Sequence, residues 1–426
     1  MKLRIYFLLF ATSIIIACSN QDYNVFECVQ KETTKNKNDI RNYAEALVIA
    51  QASISMLEES NSHTRLEGVS RIIDLNDRKV FKLDAKTRTN SDINDTLIYI
   101  FNFEDNAGFA LVSASKNTEG LLAITEQGHC DPNTPTDIWG FERFKEMAKE
   151  YVRRSQEQKE TWQLRTPDGP IVETKDSITY SFSQVGPYVT VKWGQENPEG
   201  EFCPNGYAGC ANTAMAQIMS YYNQPTSINI TYDGSYSTLG LNWSNMKAHA
   251  TGHTISSCST TNTHIMIARL LRQLGELNHS FYLDDGTGTF TDIYADSTFL
   301  QLGYNCGSWS SYTSFYARNQ LNNAHLYLVR GTCSEGSHVW VFDGYKTRLK
   351  TIRKMARTAT SGWFFTGEVT TETDYFIHLN WGSYGNCNGY FAEGVYNTTQ
   401  AFSYDTGTNN LNHNFNTDIQ FLNVYH

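Results

Sequence analysis

Cys210 follows Gly209 directly and opens an amphipathic segment. Ala211, Ala214, Met215, Ile218, Met219 and Tyr222 recur at the offsets of one buried helical face, and Asn223, Gln224 and Pro225 supply the stop. A cysteine in the first turn of a helix lies at the positive end of the macrodipole, which favours the nucleophilic thiolate over the thiol. Gly209 leaves room for a substrate backbone to come close. The same placement would also suit a buried structural cysteine that behaves as a small hydrophobe.

A second group distinguishes the two readings, because a thiolate nucleophile needs an imidazole to hold the ion pair and to protonate the leaving amine. His338 is the candidate. It precedes Val339, Trp340, Val341 and Phe342, which read as a buried strand with Asp343-Gly344 as its turn. About forty residues on, Tyr375 to Leu379 reads as another strand, closed by Asn380, Trp381 and Gly382. An asparagine amide beside an imidazole can fix its tautomer and ring plane, and an indole can shield that bond from water. Upstream, Gln195 could offer an amide N–H to a developing oxyanion, next to the backbone N–H of Cys210.

The order Gln, Cys, His, Asn-Trp resembles the streptopain family of bacterial cysteine peptidases, which share the papain-like fold. The matching segments are Lys192 to Pro198, Gly209 to Met219, the His338 strand with Asp343-Gly344-Tyr345, and His378 to Gly382. Four segments in register, with local sequence to match, are far more specific than the order alone. The resemblance implies Cys210 as nucleophile, His338 as general acid and base, Gln195 in the oxyanion hole, and Asn380 and Trp381 supporting His338. Two departures flank the cleft. Ser337 stands where the family commonly has a second glycine, and residues 383–389 replace a Trp-Gly-Gly run.

The elements that must position these groups are α+β in pattern. Tyr43 to Glu58 reads as a helix with Tyr43, Leu47, Ala50, Ile54 and Leu57 on one stripe. Lys79 to Leu83, Leu97 to Phe103 and Gly108 to Ser113 read as short strands, and Trp139 to Trp162 as a long helix with a charged face. Residues 98–115 resemble the propeptide of streptopain-like precursors, which would cover the cleft until removed. Cleavage is expected in the polar segment Gln163 to Ser177, which offers Arg165 and Lys175. His264 to Leu277 reads as a second core helix, and residues 284–289 as a loop bordering the cleft.

Lys2 and Arg4 precede an apolar run from Ile5 to Ile16, too short for a permanent span and typical of a secretory signal. Ile15-Ile16-Ala17-Cys18 then resembles a bacterial lipobox, which implies Cys18 as a lipidated N-terminus. Each buried CH₂ of such a chain contributes about 0.8 kcal/mol to anchoring. The net charge of −10, with no basic block, argues against nucleic acid as a partner. With 40% apolar and 13% aromatic residues the chain can fill more than one core.

Nine cysteines are present; setting aside Cys18 and Cys210 leaves seven, which cannot all pair within one chain. Export permits disulfides, Cys203 among them, without fixing their connectivity. No Cys-x-x-Cys occurs, and His249 and His253 lack the glutamate of a metalloprotease helix, so no metal or cofactor is expected.

The expectation is therefore a signal peptide at 1–17, a lipidated cysteine and tether at 18–41, a propeptide domain at 42–177, and a two-lobed papain-like catalytic domain at 178–426. Its partners would be protein or peptide substrates and its own propeptide, with the membrane reached only through the lipid in the cell envelope. The alternatives are a surface lipoprotein that kept the fold as a binding module, and a Cys-His amidase or acyltransferase.

Overall fold

The computed structural model describes residues 40–58, 71–82, 95–157, 173–232, 234, 237–249, 262–284, 286–333, 336–357, 362–396 and 419–426. The signal segment, Cys18, Arg165 and His253 lie outside them.

The helices are α1 (Tyr43–Ser53), α2 (Ser55–Glu58), α3 (Trp139–Glu157), α4 (Cys210–Tyr222), α5 (Trp243–His249), α6 (Asn262–Leu277), α7 (Thr291–Gln301) and α8 (Ser314–Asn322). The strands are β1 (Ile73–Lys82), β2 (Thr96–Phe103), β3 (Phe109–Ser113), β4 (Leu121–Thr125), β5 (Glu173–Val185), β6 (Ser227–Ile230), β7 (Ser237–Gly240), β8 (Phe281–Leu283), β9 (Gly286–Gly288), β10 (Asn305–Cys306), β11 (Leu326–Cys333), β12 (Gly336–Arg357), β13 (Phe364–Asn380), β14 (Gly389–Ala392) and β15 (Gln420–Tyr425). The architecture is α+β, with one large sheet in the order β1-β2-β3-β4-β14-β13-β12-β11-β15-β10. The strands expected ahead of the catalytic region thus continue the sheet that carries His338. The junction is antiparallel pairing of β4 with β14, Tyr390 opposite Ile124 and Phe391 opposite Ala123.

Period-two alternation explains how that sheet serves two cores. Leu326 and Leu328 on β11, Val339 and Val341 on β12, and Leu422 and Val424 on β15 join the core around α4 and α6. Their neighbours Tyr327, Val329, Trp340, Phe342 and Phe421 join the core that holds β2, β3, β4 and α3. Each such side chain taken from water contributes about 1.5–3 kcal/mol. Every residue of β3 and β4 is buried, which suits short apolar runs covered on both faces.

The expected helix over Tyr43 to Glu58 is two helices. Asn42 and Glu45 form a reciprocal cap at its start, each side chain accepting the other's backbone N–H at 2.9 Å. At its end the Ser53 hydroxyl donates to Ile49 O (2.7 Å) and Ser55 to Ala52 O (2.9 Å), drawing carbonyls out of the helical ladder. The Asp343-Gly344 step is not a turn: β12 runs straight through it, and Asp343 is buried. The expected strand at Tyr375 is the inner end of the longer β13, whose first ten residues are exposed.

Residues 173–181, 349–357 and 362–372 belong to a separate compact unit. Within it Lys350 pairs with Glu372 (2.8 Å), Lys354 with Glu368 (2.6 Å), and Lys175 lies over the Trp363 ring. Among the described residues no helix is long and apolar enough to cross a membrane.

Candidate active site

Helix α4 places Cys210 in its first turn, where the leading N–H groups have no acceptor inside the helix. Residues 211–220 of α4 are all buried, so the helix that carries the sulfur is fixed on every side. Gly209 caps it at φ +88°, a left-handed angle; a Cβ there would also stand 3.0 Å from Thr287 Cγ2. Asn223 ends it in the αL conformation, as the Asn-Gln-Pro stop requires.

β12 brings His338 to the sulfur. The thiol and the imidazole are hydrogen-bonded and electrostatically coupled. Burial by itself raises the Cys210 thiol, but the His338 charge and hydrogen bond, with the N–H groups of Val339 and Ala211, outweigh it and hold the group below its ordinary value. Burial likewise opposes the charged form of His338; Cys210, the Trp381 carbonyl and Asp137 reverse that and raise it. Both shifts favour the thiolate–imidazolium pair.

His338 Nε2 lies 2.9 Å from the Trp381 carbonyl, so this nitrogen carries the proton that the carbonyl accepts and Nδ1 is left for the sulfur. Asn380 acts one step back. Its Nδ2 donates to Val191 O (3.0 Å) and its Oδ1 accepts the Gly382 N–H (3.1 Å), which pins the turn presenting the Trp381 carbonyl. The Trp381 indole donates to Cys387 O (2.9 Å) and packs against Trp340 at 5.1 Å. A backbone carbonyl as orienting group leaves no mark in a sequence, because every residue has one.

Gln195 lies on a segment bound to α4 by Gln217 Nε2 to Trp193 O (3.0 Å), Thr213 Oγ1 to Gly194 O (3.3 Å) and the Ala208 N–H to Gln195 O (2.6 Å). The last of these sets the Gln195 backbone beside Ala208, two residues before Cys210.

Beside Cys210 and His338 opens a cleft of about 610 Å³. Its outer wall is the β8–β9 hairpin and the loop to Thr291, with Phe281, Leu283 and Phe290; the segment expected as a loop at 284–289 contains β9. Arg330, Gln420 and Asp292 form its polar end. Trp139, the first residue of α3, shares that wall with the catalytic pair. The next residue, Gly140, lies so close that a Cβ would fall 2.4 Å from the Trp381 ring and 3.0 Å from His338 Cδ2. Nothing in the sequence marks this approach.

Cys130, Cys203, Cys210, Cys306 and Cys387 are free thiols, so the pairing entertained for Cys203 is not formed. Lys175 falls within β5. Among the described residues no cluster of His, Cys, Asp and Glu could hold a metal.

Comparison with known proteins agrees with this geometry. Residues 193–391 match the Peptidase C10 family, and residues 38–152 match the Spi protease inhibitor family. The chain is 24% identical over 328 residues to the thiol protease/hemagglutinin PrtT of Porphyromonas gingivalis, covering 70% of this chain and 34% of that protein. It is 28% identical over 152 residues to streptopain of Streptococcus pyogenes, covering 34% of this chain and 36% of that protein. It thus spans about a third of the length of these relatives. A fragment of prointerpain A from Prevotella intermedia superposes with a TM-score of 0.48 at 18% identity, covering 81% of this chain and 98% of that one. With a Spi-type inhibitor segment ahead of the cysteine–histidine cleft, the chain is similar to streptopain-like cysteine peptidases, its residues 193–391 carrying the match to the Peptidase C10 family.

Proposed function

We propose that this chain is the precursor of a secreted, lipid-anchored cysteine endopeptidase held inactive by its own N-terminal segment. The observation that carries the reading is the Cys210–His338 pair at the start of α4, with the imidazole's other nitrogen bound to the Trp381 carbonyl. The thiolate attacks a peptide carbonyl carbon and the carbonyl π pair moves to oxygen. The Gln195 amide and the Cys210 backbone N–H stabilise that oxyanion. His338 gives its proton to the leaving amine, the C–N bond breaks, and an acyl-enzyme remains. Water, deprotonated by His338, then releases the acid.

Trp139 and Gly140 support a steric inhibition, since they crowd the mouth of the cleft and the Trp381 face. Cleavage between Gln163 and Ser177 would free the catalytic domain. The Cys18 lipobox supports export to the cell envelope, and removal of the inhibitor segment would detach the enzyme from its anchor.

Cys210→Ala tests the reading with fluorogenic peptides and an alkylating inhibitor. Hydrolysis and labelling are expected to vanish; ordinary turnover by the variant would refute the nucleophile.

A further inference from the structure

Gln195 is held on its inner side by α4, but the segment beyond it, residues 196–201, is a turn with Glu196 and Asn197 exposed. From distant parts of the chain it is held by His264, whose Nε2 lies 3.0 Å from Pro198 O and 2.8 Å from Glu201 Oε2, and, nearer Gln195, by Tyr384. The Tyr384 hydroxyl lies 3.1 Å from Glu196 O, 3.3 Å from Asn197 O and 3.3 Å from Glu199 Oε2. The hydroxyl, with a single proton to donate, thus has three acceptors of the same loop within reach. The ring lies flat against Gly194: a Cβ there would come within 2.2 Å of the Tyr384 Cζ atom. Tyr384 itself holds φ +53°, an angle adopted by few residues other than glycine, asparagine and aspartate. That strain is offset by the contacts the side chain makes.

The same turn joins both partners of the reaction. Tyr384 follows Trp381 by three residues, and the Trp381 carbonyl orients His338. One short loop therefore fixes the imidazole at one end and grips the oxyanion segment at the other.

We propose that Tyr384 is a positioning residue that holds Gln195 in the oxyanion hole through the Gly194–Glu199 loop. This rests on Gln195 serving as an oxyanion donor, as proposed above. Tyr384 touches no reacting atom. It acts by keeping the amide where negative charge develops, and a donor placed about 1 Å away from that point loses most of its effect.

The experiment uses the full-length chain, each variant matured in trans by a trace of tagged wild-type enzyme that is then removed. Tyr384→Phe keeps the ring on Gly194 and removes only the hydroxyl. Its kcat is expected to fall about tenfold with KM changed less than about twofold, and affinity for a peptide aldehyde, which forms a tetrahedral adduct, to fall by about the same factor as kcat. Alkylation of Cys210 by iodoacetamide, which develops no oxyanion, is expected to keep its wild-type rate. In a Gln195→Ala background Tyr384→Phe is expected to cost nothing further.

An unchanged kcat, an equal loss in both backgrounds, or a parallel loss of alkylation rate would each overturn the inference. Full activity of Gln195→Ala alone would remove the oxyanion role and this inference with it. The nucleophile assignment would stand, since Cys210→Ala tests it separately.

Discussion

Glu126 and His378 meet at 3.6 Å across the β4–β14 junction, where the inhibitor segment's strands become part of the catalytic sheet. His378 is buried; its Nδ1 binds Asp343 Oδ1 at 2.6 Å, and Asp343 also accepts the Val189 N–H. Burial works against the imidazolium, but the carboxylates of Asp343 and Glu126 raise His378 to about 9. Burial works against the Glu126 carboxylate too, yet His378, Lys192 at 3.6 Å and Arg71 lower it to about 2.

The pair gives the precursor a pH window. A raised histidine contributes stability fully present below its unfolded value of 6.5 and lost as pH rises through about 9. A lowered carboxylate contributes stability present above 4.5 and lost as pH falls towards about 2. The intact precursor is therefore expected to be tightest between about pH 4.5 and 6.5 and to loosen on either side. Residual peptidase activity of the uncleaved chain, taken at each pH from 6 to 9.5 as a fraction of the matured enzyme's activity at the same pH, should rise. Glu126→Gln should show that raised activity already at pH 6. A flat profile in both would remove the latch.

The Cys210–His338 pair predicts the pH behaviour of the reaction itself. Cys210 lies below its ordinary value and His338 above, so activity should climb on the acid side as the thiol ionises and fall on the alkaline side as the imidazole loses its proton. His338→Ala should cost about 10²–10⁴-fold in kcat. With the imidazolium gone only burial and the two backbone N–H groups remain, so the acid limb of Cys210 alkylation should move to higher pH. An alkylation profile that stayed in place would dissolve the ion pair.

Gly140 offers a way to separate inhibition from catalysis. Its Cα packs on the Trp381 indole, a rigid ring held by Trp340, Phe141 and Phe391. Gly140→Ala adds one methyl where there is no room, an overpacking that costs about 1–3 kcal/mol. The cost falls on the inhibitor segment's seating. The uncleaved variant is expected to be about five- to a hundredfold more active than the uncleaved wild type, with matured enzymes alike. Equal precursor activities would show that α3 does not gate the cleft.

Much of this was legible from spacing. The α4 stripe was visible because one face repeats every three to four residues, and Val339 to Phe342 because an unbroken apolar run must be covered on both faces. The outer halves of β12 and β13 were not, since that of β13 is exposed and the two are paired by Lys–Glu contacts that carry no alternation of apolar residues. Asp343 misled because Asp-Gly is a common turn pair, while here the carboxylate is committed to His378 and Val189 inside a continuing strand. The His338–Trp381 bond escaped because its acceptor is main chain.

Asn380 decides whether the imidazole is steered by a side chain or by a turn. Its amide reaches Val191 O and the Gly382 N–H instead of the ring, so Asn380→Ala leaves a buried backbone N–H without its acceptor, at a cost of about 1–3 kcal/mol. The turn holding the Trp381 carbonyl then relaxes and His338 loses its fixed ring plane. Melting temperature and kcat should fall together. Asn380→Asp, which keeps an acceptor for Gly382 but sets a carboxylate against the Val191 carbonyl, should be no better than alanine. If Asn380→Ala lost activity at an unchanged melting temperature, direct contact of the amide with the ring during turnover would be the better account.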